Sequence, residues 1–479
     1  MGLIVQKFGG TSVGTGERMR NVADIIQRTR KKKGVIAVVS AMSSTVKAEG
    51  TTNLLLQAGA HAVDGVPFDV PLDKLEAHHR KAVDEAIGAP ELRAEVGRWI
   101  ETELTWLRSF LEAIQVIREL SPRSQDILLA TGERFSAFLL CAVLRDRQVP
   151  TAFVDLTHMV PEEEREVTPG FFRRLQERLG THCAPKDGEV PVVTGFFGMV
   201  PGGLLKAVGR GYTDFTAALI AAGLGRRKVD ELQVWKEVDG VFTADPRRVP
   251  NARVLPSISP TEASELTYFG SEVLHPFTME RVVAAEVPIR IKNTFNPDAP
   301  GTVILPRNKG GELLPRVTAV TAKKGITIFT IASNRMYNAY GFMARVFEVL
   351  NAHGVVVDLI ATSEVSLSFT VDRRDELERA MARLRELGEV VVTPGRAILA
   401  MVGEGMKFAK GTAGGMFTSL GNAGVNIEMI SQGASEINIS CVIREEDAEM
   451  GLQAIHAAFL EDGAPGAAAG APRIEAGAR

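Results

Sequence analysis

A short apolar strand from Leu3 to Val5 runs into Lys7-Phe8-Gly9-Gly10-Thr11-Ser12, which sets a lysine and two adjacent glycines at a strand's carboxyl end. Open α/β sheets bind ligands along that edge. Glycines there let backbone N–H groups approach a phosphate, the hydroxyls of Thr11 and Ser12 add donors, and Lys7 brings a point charge for a phosphoryl group in transfer. The chemistry suggested is phosphate binding. The loop is not a Walker loop, because its lysine precedes its glycines and the GxxxxGK(S/T) spacing is absent. The same residues also suit a tight strand-to-helix turn with a surface lysine.

Other segments carry polar groups of the same kind. Ser40-Ala41-Met42-Ser43-Ser44 follows a second apolar strand, Val35 to Val39, and falls on the rim that carries Lys7. Glu133, in Gly132-Glu133-Arg134, reads as lying at or near the start of a helical stretch, where a carboxylate complements the macrodipole. Arg210, flanked by glycines, can present its planar fork to a carboxylate or phosphate, and Asp214 four residues on can hold a lysine or a metal. Thr213 and Asp214 also suit a plain N-cap. The strand Leu232 to Val238 ends in Asp239 to Arg247, a loop long enough to wrap a nucleotide. His275 has no serine, cysteine or carboxylate spaced to make a relay and reads as structural.

The elements that position these groups alternate strand and helix. Met19, Val22, Ile25 and Ile26 recur at helical spacing between the first two strands, a βαβ start. From about residue 59 to 121, Val96, Ile100, Leu104, Leu107, Leu111 and Ile114 mark one face of a long amphipathic helix, read as a helical insertion without chemistry of its own. The last third is a repeat: a helix at Gly341 to Asn351 precedes strands at Val355 to Ile360 and Val365 to Val371, and Gly414 to Asn422 precedes Val425 to Ile430 and Ile437 to Ile443. Each copy continues into a second helix, giving a βαββαβ-like plan. The Gly/Ala/Pro-rich end reads as a disordered tail.

Composition narrows the class. A chain of 479 residues with 45% hydrophobic and 24% charged residues suits a multi-domain globular protein. A net charge of -3 gives no footprint for nucleic acid, and no sequence run reads as a membrane span or signal peptide, so a cytoplasmic location is expected. The three cysteines, Cys141, Cys183 and Cys441, lack metal-ligand spacing and fit buried thiols.

Together these residues resemble the aspartate kinase family over nearly the whole chain. The resemblance rests on Lys7 to Gly14, Val38 to Met42, Thr51 to Asn53, Gly132 to Arg134, Gly209 to Ala218, Trp235 to Arg247, Phe269 to Pro276 and Val357 to Asp372. It implies an α/β amino-acid-kinase fold, a largely parallel sheet between helical layers, followed by two ferredoxin-like α+β ACT domains. The expected boundaries are 1–305 for the catalytic domain with its insertion, 317–394 and 395–462 for the ACT domains, and 463–479 for the tail.

The resemblance also implies roles. Lys7 would stabilise the phosphoryl group, Gly9 and Gly10 would supply amides, and Asp214 would orient the lysine. Arg210 would clamp the α-carboxylate of L-aspartate, Glu133 its α-ammonium, with hydroxyl contacts from Ser40 and Thr52. ATP would lie on Lys236, Glu237, Phe242, Asp245 and Arg247, with Mg²⁺ bridging phosphates and few protein ligands. Product and pathway would be 4-phospho-L-aspartate and the first step toward lysine, threonine, methionine and isoleucine. A feedback amino acid, threonine first and lysine second, would bind near Met336, Gly341, Phe342, Val357, Asp358 and Thr362, and the ACT domains would pair the chain into a homodimer or homotetramer.

The chain departs from many relatives at Tyr212, Thr213 and Glu272 and in a longer Val46 to Gly50 stretch. A sibling kinase for glutamate, acetylglutamate or UMP would lack the joint Arg210 and Glu133 pair and the double ACT module. A non-catalytic sensor would be free to lose Lys7 and Asp214.

Overall fold

The computed structural model describes residues 2–44, 46–186, 188–209, 211–270, 274, 276–305, 316–332, 341–372, 378–434 and 437–461. Arg210, Glu272, His275, Met336 and the tail lie outside the described residues. The chain divides into two compact units.

The first unit comprises Met1–Val241, Pro256–Pro260 and Leu274–Asn308. Its strands are β1 (Leu3–Phe8), β2 (Gly34–Val39), β3 (Thr151–Val154), β4 (Val190–Thr194), β5 (Val229–Lys236), β6 (Ser257–Ile258), β7 (Ile289–Asn293) and β8 (Thr302–Ile304), ordered β3-β4-β2-β1-β5-β7-β8-β6. The pairings are parallel apart from β7 with β8. Strands covered on both faces read as unbroken apolar runs, and β2, Gly-Val-Ile-Ala-Val-Val, is one. Gln6 of β1 is buried with its amide nitrogen paired: Nε2 donates to Thr29 Oγ1 at 3.0 Å and to Gln233 Oε1 at 2.8 Å. Strand order reverses about β1, so its carboxyl end opens at a topological switch point.

Helices cover the sheet: α1 (Gly16–Arg30), α2 (Thr51–Asp64), α3 (Asp69–Ala86), α4 (Pro90–Ile117), α5 (Pro122–Asp146), α6 (Phe171–His182), α7 (Leu204–Ala207), α8 (Tyr212–Leu224) and, after α9 (Pro260–Tyr268), α10 (Pro276–Ala284). The helical layer begins at Thr51, ahead of the expected 59. On α4 the buried residues are the predicted seam plus Leu92.

Glu133 requires a correction: it lies well inside α5, not at a helix start, because Ser121 caps that helix and Pro122 occupies its first position. Gly132 does not break it. A Cβ at Gly132 would lie 2.8 Å from Thr51 Cγ2 and 3.1 Å from Ala41 Cβ, so the glycine lets α5 press against α2 and the loop after β2. α5 is long and apolar enough by length and composition to cross a membrane, and 83% of that stretch is buried inside the protein.

The second unit, Phe242–Leu255, Thr261–Val273 and Lys309–Arg479, is built on an antiparallel sheet ordered β10-β11-β9-β12-β14-β13. Its strands are β9 (Ala319–Ala332), β10 (Ile360–Thr362), β11 (Ser366–Val371), β12 (Glu389–Val402), β13 (Met429–Gln432) and β14 (Asn438–Arg444). The remaining helices are α11 (Phe342–Ala352), α12 (Met381–Leu387), α13 (Thr412–Asn422) and α14 (Ala448–Phe459).

Two long strands run through both repeats. Glu389 to Thr393 pairs with Ala332 to Ile328 over a core containing Phe329, Phe342, Val346 and Phe369. After a register shift at Pro394-Gly395, where Gly395 takes φ 71, Arg396 to Val402 pairs with Ile326 to Ala319 over a core of Leu399, Met416, Leu420 and Leu452. The expected boundary between 394 and 395 therefore falls inside β12. Residues 242–255 and 261–273, within the expected 1–305 catalytic span, cluster with this unit. Thr243 Oγ1 lies 3.0 Å from His456 Nε2, and Val320 N donates to Thr243 O at 2.8 Å. Cys141, Cys183 and Cys441 are free and buried.

Candidate active site

The first unit carries a cleft of about 430 Å³ at the carboxyl ends of β1 and β2, lined among others by Gly10, Thr11, Ser40, Ser43, Thr52, Glu133, Tyr212 and Thr213. Lys7, the penultimate residue of β1, is 8% exposed, and its Nζ lies 2.7 Å from Asp214 Oδ1 in the first turn of α8. Burying an amine is tolerable when a carboxylate meets it. The first turn of a helix also favours the carboxylate.

The glycines do different things. A Cβ on Gly10 would lie 2.6 Å from Ala41 O and 3.2 Å from Ser43 Cβ, so only glycine lets the first loop close on the second. Ser43 N donates to Gly10 O at 3.1 Å across that contact. A Cβ on Gly9 would meet nothing closer than Lys7 Nζ at 3.7 Å. The fold does not demand glycine there, and the space it leaves faces the lysine charge.

Behind the cleft a chain of hydroxyls converges on Glu133. Ser136 Oγ donates to Ser40 O at 2.6 Å, Ser40 Oγ donates to Thr213 Oγ1 at 2.9 Å, and Thr213 Oγ1 donates to Glu133 Oε1 at 3.0 Å. Glu133 is 1% exposed and its Oε2 is buried without a hydrogen bond of normal geometry. Burial pushes its carboxyl up to about 8, offset only in part by the Thr213 and Tyr212 hydroxyls and the charge of Lys7. A cation delivered to Oε2 would reverse that penalty. The next residue faces elsewhere: Arg134 grips Glu103 at 2.6 and 2.9 Å and Asp155 at 2.8 Å, tying α5 to α4.

Thr213 is the residue that sequence reasoning left out of the site. The N-cap of α8 is Gly211 with no side-chain bond, so Thr213 is free of capping and joins Ser40 to Glu133. Its adjacency to Asp214 in a first helical turn was the available signal. Thr52 lines the same cleft, and Arg210 lies outside the described residues.

The expected nucleotide contacts divide. Lys236 ends β5, beside β1, and its carbonyl accepts from Thr294 N at 2.9 Å; Glu237 follows, exposed. Phe242, Asp245 and Arg247 belong to the second unit. There Asp245 and Arg247 satisfy one another, Nε to Oδ1 at 3.0 Å and Nη2 to Oδ2 at 2.8 Å, and this holds the Asp245 carboxyl below its ordinary value.

Of the expected effector residues, Gly341 caps α11 at φ 78, Phe342 is buried, and Thr362 lies exposed on edge strand β10. Asp358 is not an open carboxylate. Its side chain is 5% exposed and its Oδ1 lies 2.7 Å from Lys323 Nζ, which also reaches Asp372 at 3.2 Å. Tyr268 Oη donates to the carbonyls of Val357 at 3.1 Å and Asp358 at 3.2 Å.

Comparison with known proteins agrees with this arrangement. Residues 2–293 match the amino acid kinase family, and residues 329–387 and 399–459 match an ACT domain. The chain is 44% identical to the aspartokinase of Schizosaccharomyces pombe, covering 96% of this chain and 93% of that one. Among solved structures it is similar to E. coli aspartokinase III in complex with aspartate and ADP, with a TM-score of 0.74, 29% identity, and coverage of 95% of this chain and 99% of that one. The same enzyme in complex with lysine and aspartate gives a TM-score of 0.74 at 29% identity, covering 96% of this chain and 100% of that one.

Proposed function

This chain belongs to the aspartate kinase family and is an aspartate kinase, and on that footing we propose that it moves the γ-phosphoryl group of ATP onto the β-carboxylate of L-aspartate. A carboxylate oxygen forms the new P–O bond, the bond to the β-phosphate oxygen breaks, and ADP leaves with its electron pair, yielding 4-phospho-L-aspartate. The acceptor is already ionised near pH 7, so no general base is required. Catalysis reduces to aligning two anions and neutralising the charge between them.

The observation that carries this reading is Glu133: a buried carboxyl that lines the cleft, has no ion-pair partner among the described residues and lies within reach of the Lys7 charge. An α-ammonium group is the cation that suits it. Arg210 would take the α-carboxylate, Ser40 and Thr52 would add hydroxyl contacts, and Lys7 with the Gly9 and Gly10 amides would meet the transferring group. Lys236 and Glu237 would serve the nucleotide.

Among the described residues no cluster of three or more His, Cys, Asp or Glu side chains could hold a metal. Hard oxygen donors at the cleft, the hydroxyls of Thr11 and Ser43, suit Mg²⁺ carried in on the phosphates, where it would neutralise their charge. The experiment is ADP release with L-aspartate as sole acceptor, the product trapped by hydroxylamine as its hydroxamate. Equal turnover of glutamate, one methylene longer, would overturn the reading.

The E. coli enzyme solved with lysine supports feedback by an amino acid at the ACT repeats, threonine being the first choice and lysine the second. The same reading includes a cytoplasmic homodimer or homotetramer supplying the aspartate-derived amino acids.

A further inference from the structure

The helical insertion, which the sequence credits with packing alone, reaches the phosphate loop. His78 on α3 places Nε2 2.9 Å from the carbonyl oxygen of Gly14, and since a carbonyl only accepts, Nε2 carries the proton. Two turns along the same helix, Glu85 Oε2 accepts from Gly16 N at 3.1 Å, satisfying the first free amide of α1. Between these contacts Thr15 caps α1, accepting from Arg18 N at 3.2 Å.

The exit of the loop is thus fixed from outside the sheet. Gly14 is pinned on its other side as well, since a Cβ there would lie 2.6 Å from Ser43 O. The loop's other bonds include Ser12 N to Gly9 O at 2.9 Å, Ser43 N to Gly10 O at 3.1 Å, Arg18 Nη1 to Thr11 O at 3.0 Å and Ser12 Oγ with Thr294 Oγ1 at 2.8 Å, and none of these reaches α3. Without His78, the segment from Thr11 to Gly14 keeps its entry from β1 but loses its hold on α3.

The geometry points to His78 as a positioning residue for phosphoryl transfer: its Nε2–H holds the Gly14 carbonyl so that the loop amides stay directed at the phosphates. This rests on the reading of that loop as the phosphate site. Glu133, the aspartate contact proposed above, lies on α5 and not on this loop.

The test compares His78→Gln, whose amide N–H can replace Nε2–H, with His78→Leu, which keeps bulk and loses the donor. The Leu variant is expected to raise KM for ATP and lower kcat, together on the order of tenfold in kcat/KM, with KM for aspartate within about twofold and with the Gln variant recovering most of the loss. Should His78→Leu not fold, His78→Asn, whose amide is too short to reach Gly14, takes its place. Leu and Gln variants with equal kinetics, or equal rises in both KM values, would overturn the proposal. Lys7→Ala assayed alongside separates the two readings: a Lys7 variant of parental activity removes the phosphate-loop assignment itself, whereas an inactive Lys7 variant beside an unaffected His78→Leu removes only the role of His78.

Discussion

Lys7 and Asp214 meet at 2.7 Å across the sheet's carboxyl edge, one from the end of β1 and the other from the first turn of α8, with side chains 10% and 13% exposed. A charge held this way is aimed before substrate arrives, which is the condition under which electrostatic stabilisation is largest. Lys7→Ala is expected to lower kcat by on the order of a hundredfold or more. Asp214→Asn should lower it less, since the lysine remains but loses its anchor. Steady-state kinetics that leave Lys7→Ala within a few-fold of the parent would refute the assignment.

Glu133 predicts a pH signature. Its carboxyl rests at about 8 in the folded protein against an ordinary 4.5, so between those values the folded state holds a proton that the unfolded chain has released. The unliganded protein should therefore lose stability as pH rises from about 4.5 toward 8, and Glu133→Gln should flatten that slope. Aspartate, by bringing an ammonium to the carboxylate, should expel the proton. Calorimetry near pH 7 in buffers of different ionisation enthalpy should register net proton release, and a binding enthalpy that does not vary with buffer would sink the idea.

The two glycines of the loop should separate under mutation. Gly10→Ala forces a Cβ to 2.6 Å from Ala41 O and should lower Tm, because backbone must move. Gly9→Ala meets Lys7 Nζ at 3.7 Å and Trp235 O at 4.0 Å, both ordinary contacts, and should leave Tm nearly unchanged while raising KM for ATP. A Gly9→Ala protein with parental ATP kinetics would show that no ligand uses that space.

In the second unit, Lys323→Met strands Asp358, whose side chain is 5% exposed, beside Asp372 and the Tyr268 ring. Losing one partner of a buried ion pair is costly, and with Lys323 itself 19% exposed the expected loss is roughly 1–3 kcal/mol in denaturant unfolding. Asp358→Ala removes both charge and mismatch, and should instead abolish inhibition by threonine or lysine. Unchanged inhibition in that variant, or a parent enzyme indifferent to millimolar threonine and lysine, would remove the effector site.

Much of this was legible in the chain. The apolar run of β2, the α1 spacing and the α4 seam follow from burial, and burial writes itself as periodicity. Lys7 was legible because two glycines follow it closely at a strand's end, and Asp214 because it stands four residues beyond the glycine-flanked Arg210 at a helix start. Glu133 was placed at the wrong part of its helix, since Gly132 reads as a break when tertiary contact with Thr51 and Ala41 is what requires it. Thr213 was hidden by its plausibility as a cap, and His78 by lying on a helix whose pattern is satisfied by packing alone. Asp358 looked open because Lys323, its partner, sits on a strand that precedes it by a whole helix.

The long strands β9 and β12 have a consequence for modularity. Sequence repetition invites the view that the two copies are separable cassettes, one to be deleted or exchanged while the other carries on. Each copy, however, borrows half of both strands, and a cut at Pro394 would leave a severed ladder with unmatched amides and carbonyls on either side. The duplicated segment is therefore a single cooperative block, whose copies can diverge by substitution but have no joint at which recombination could take one away.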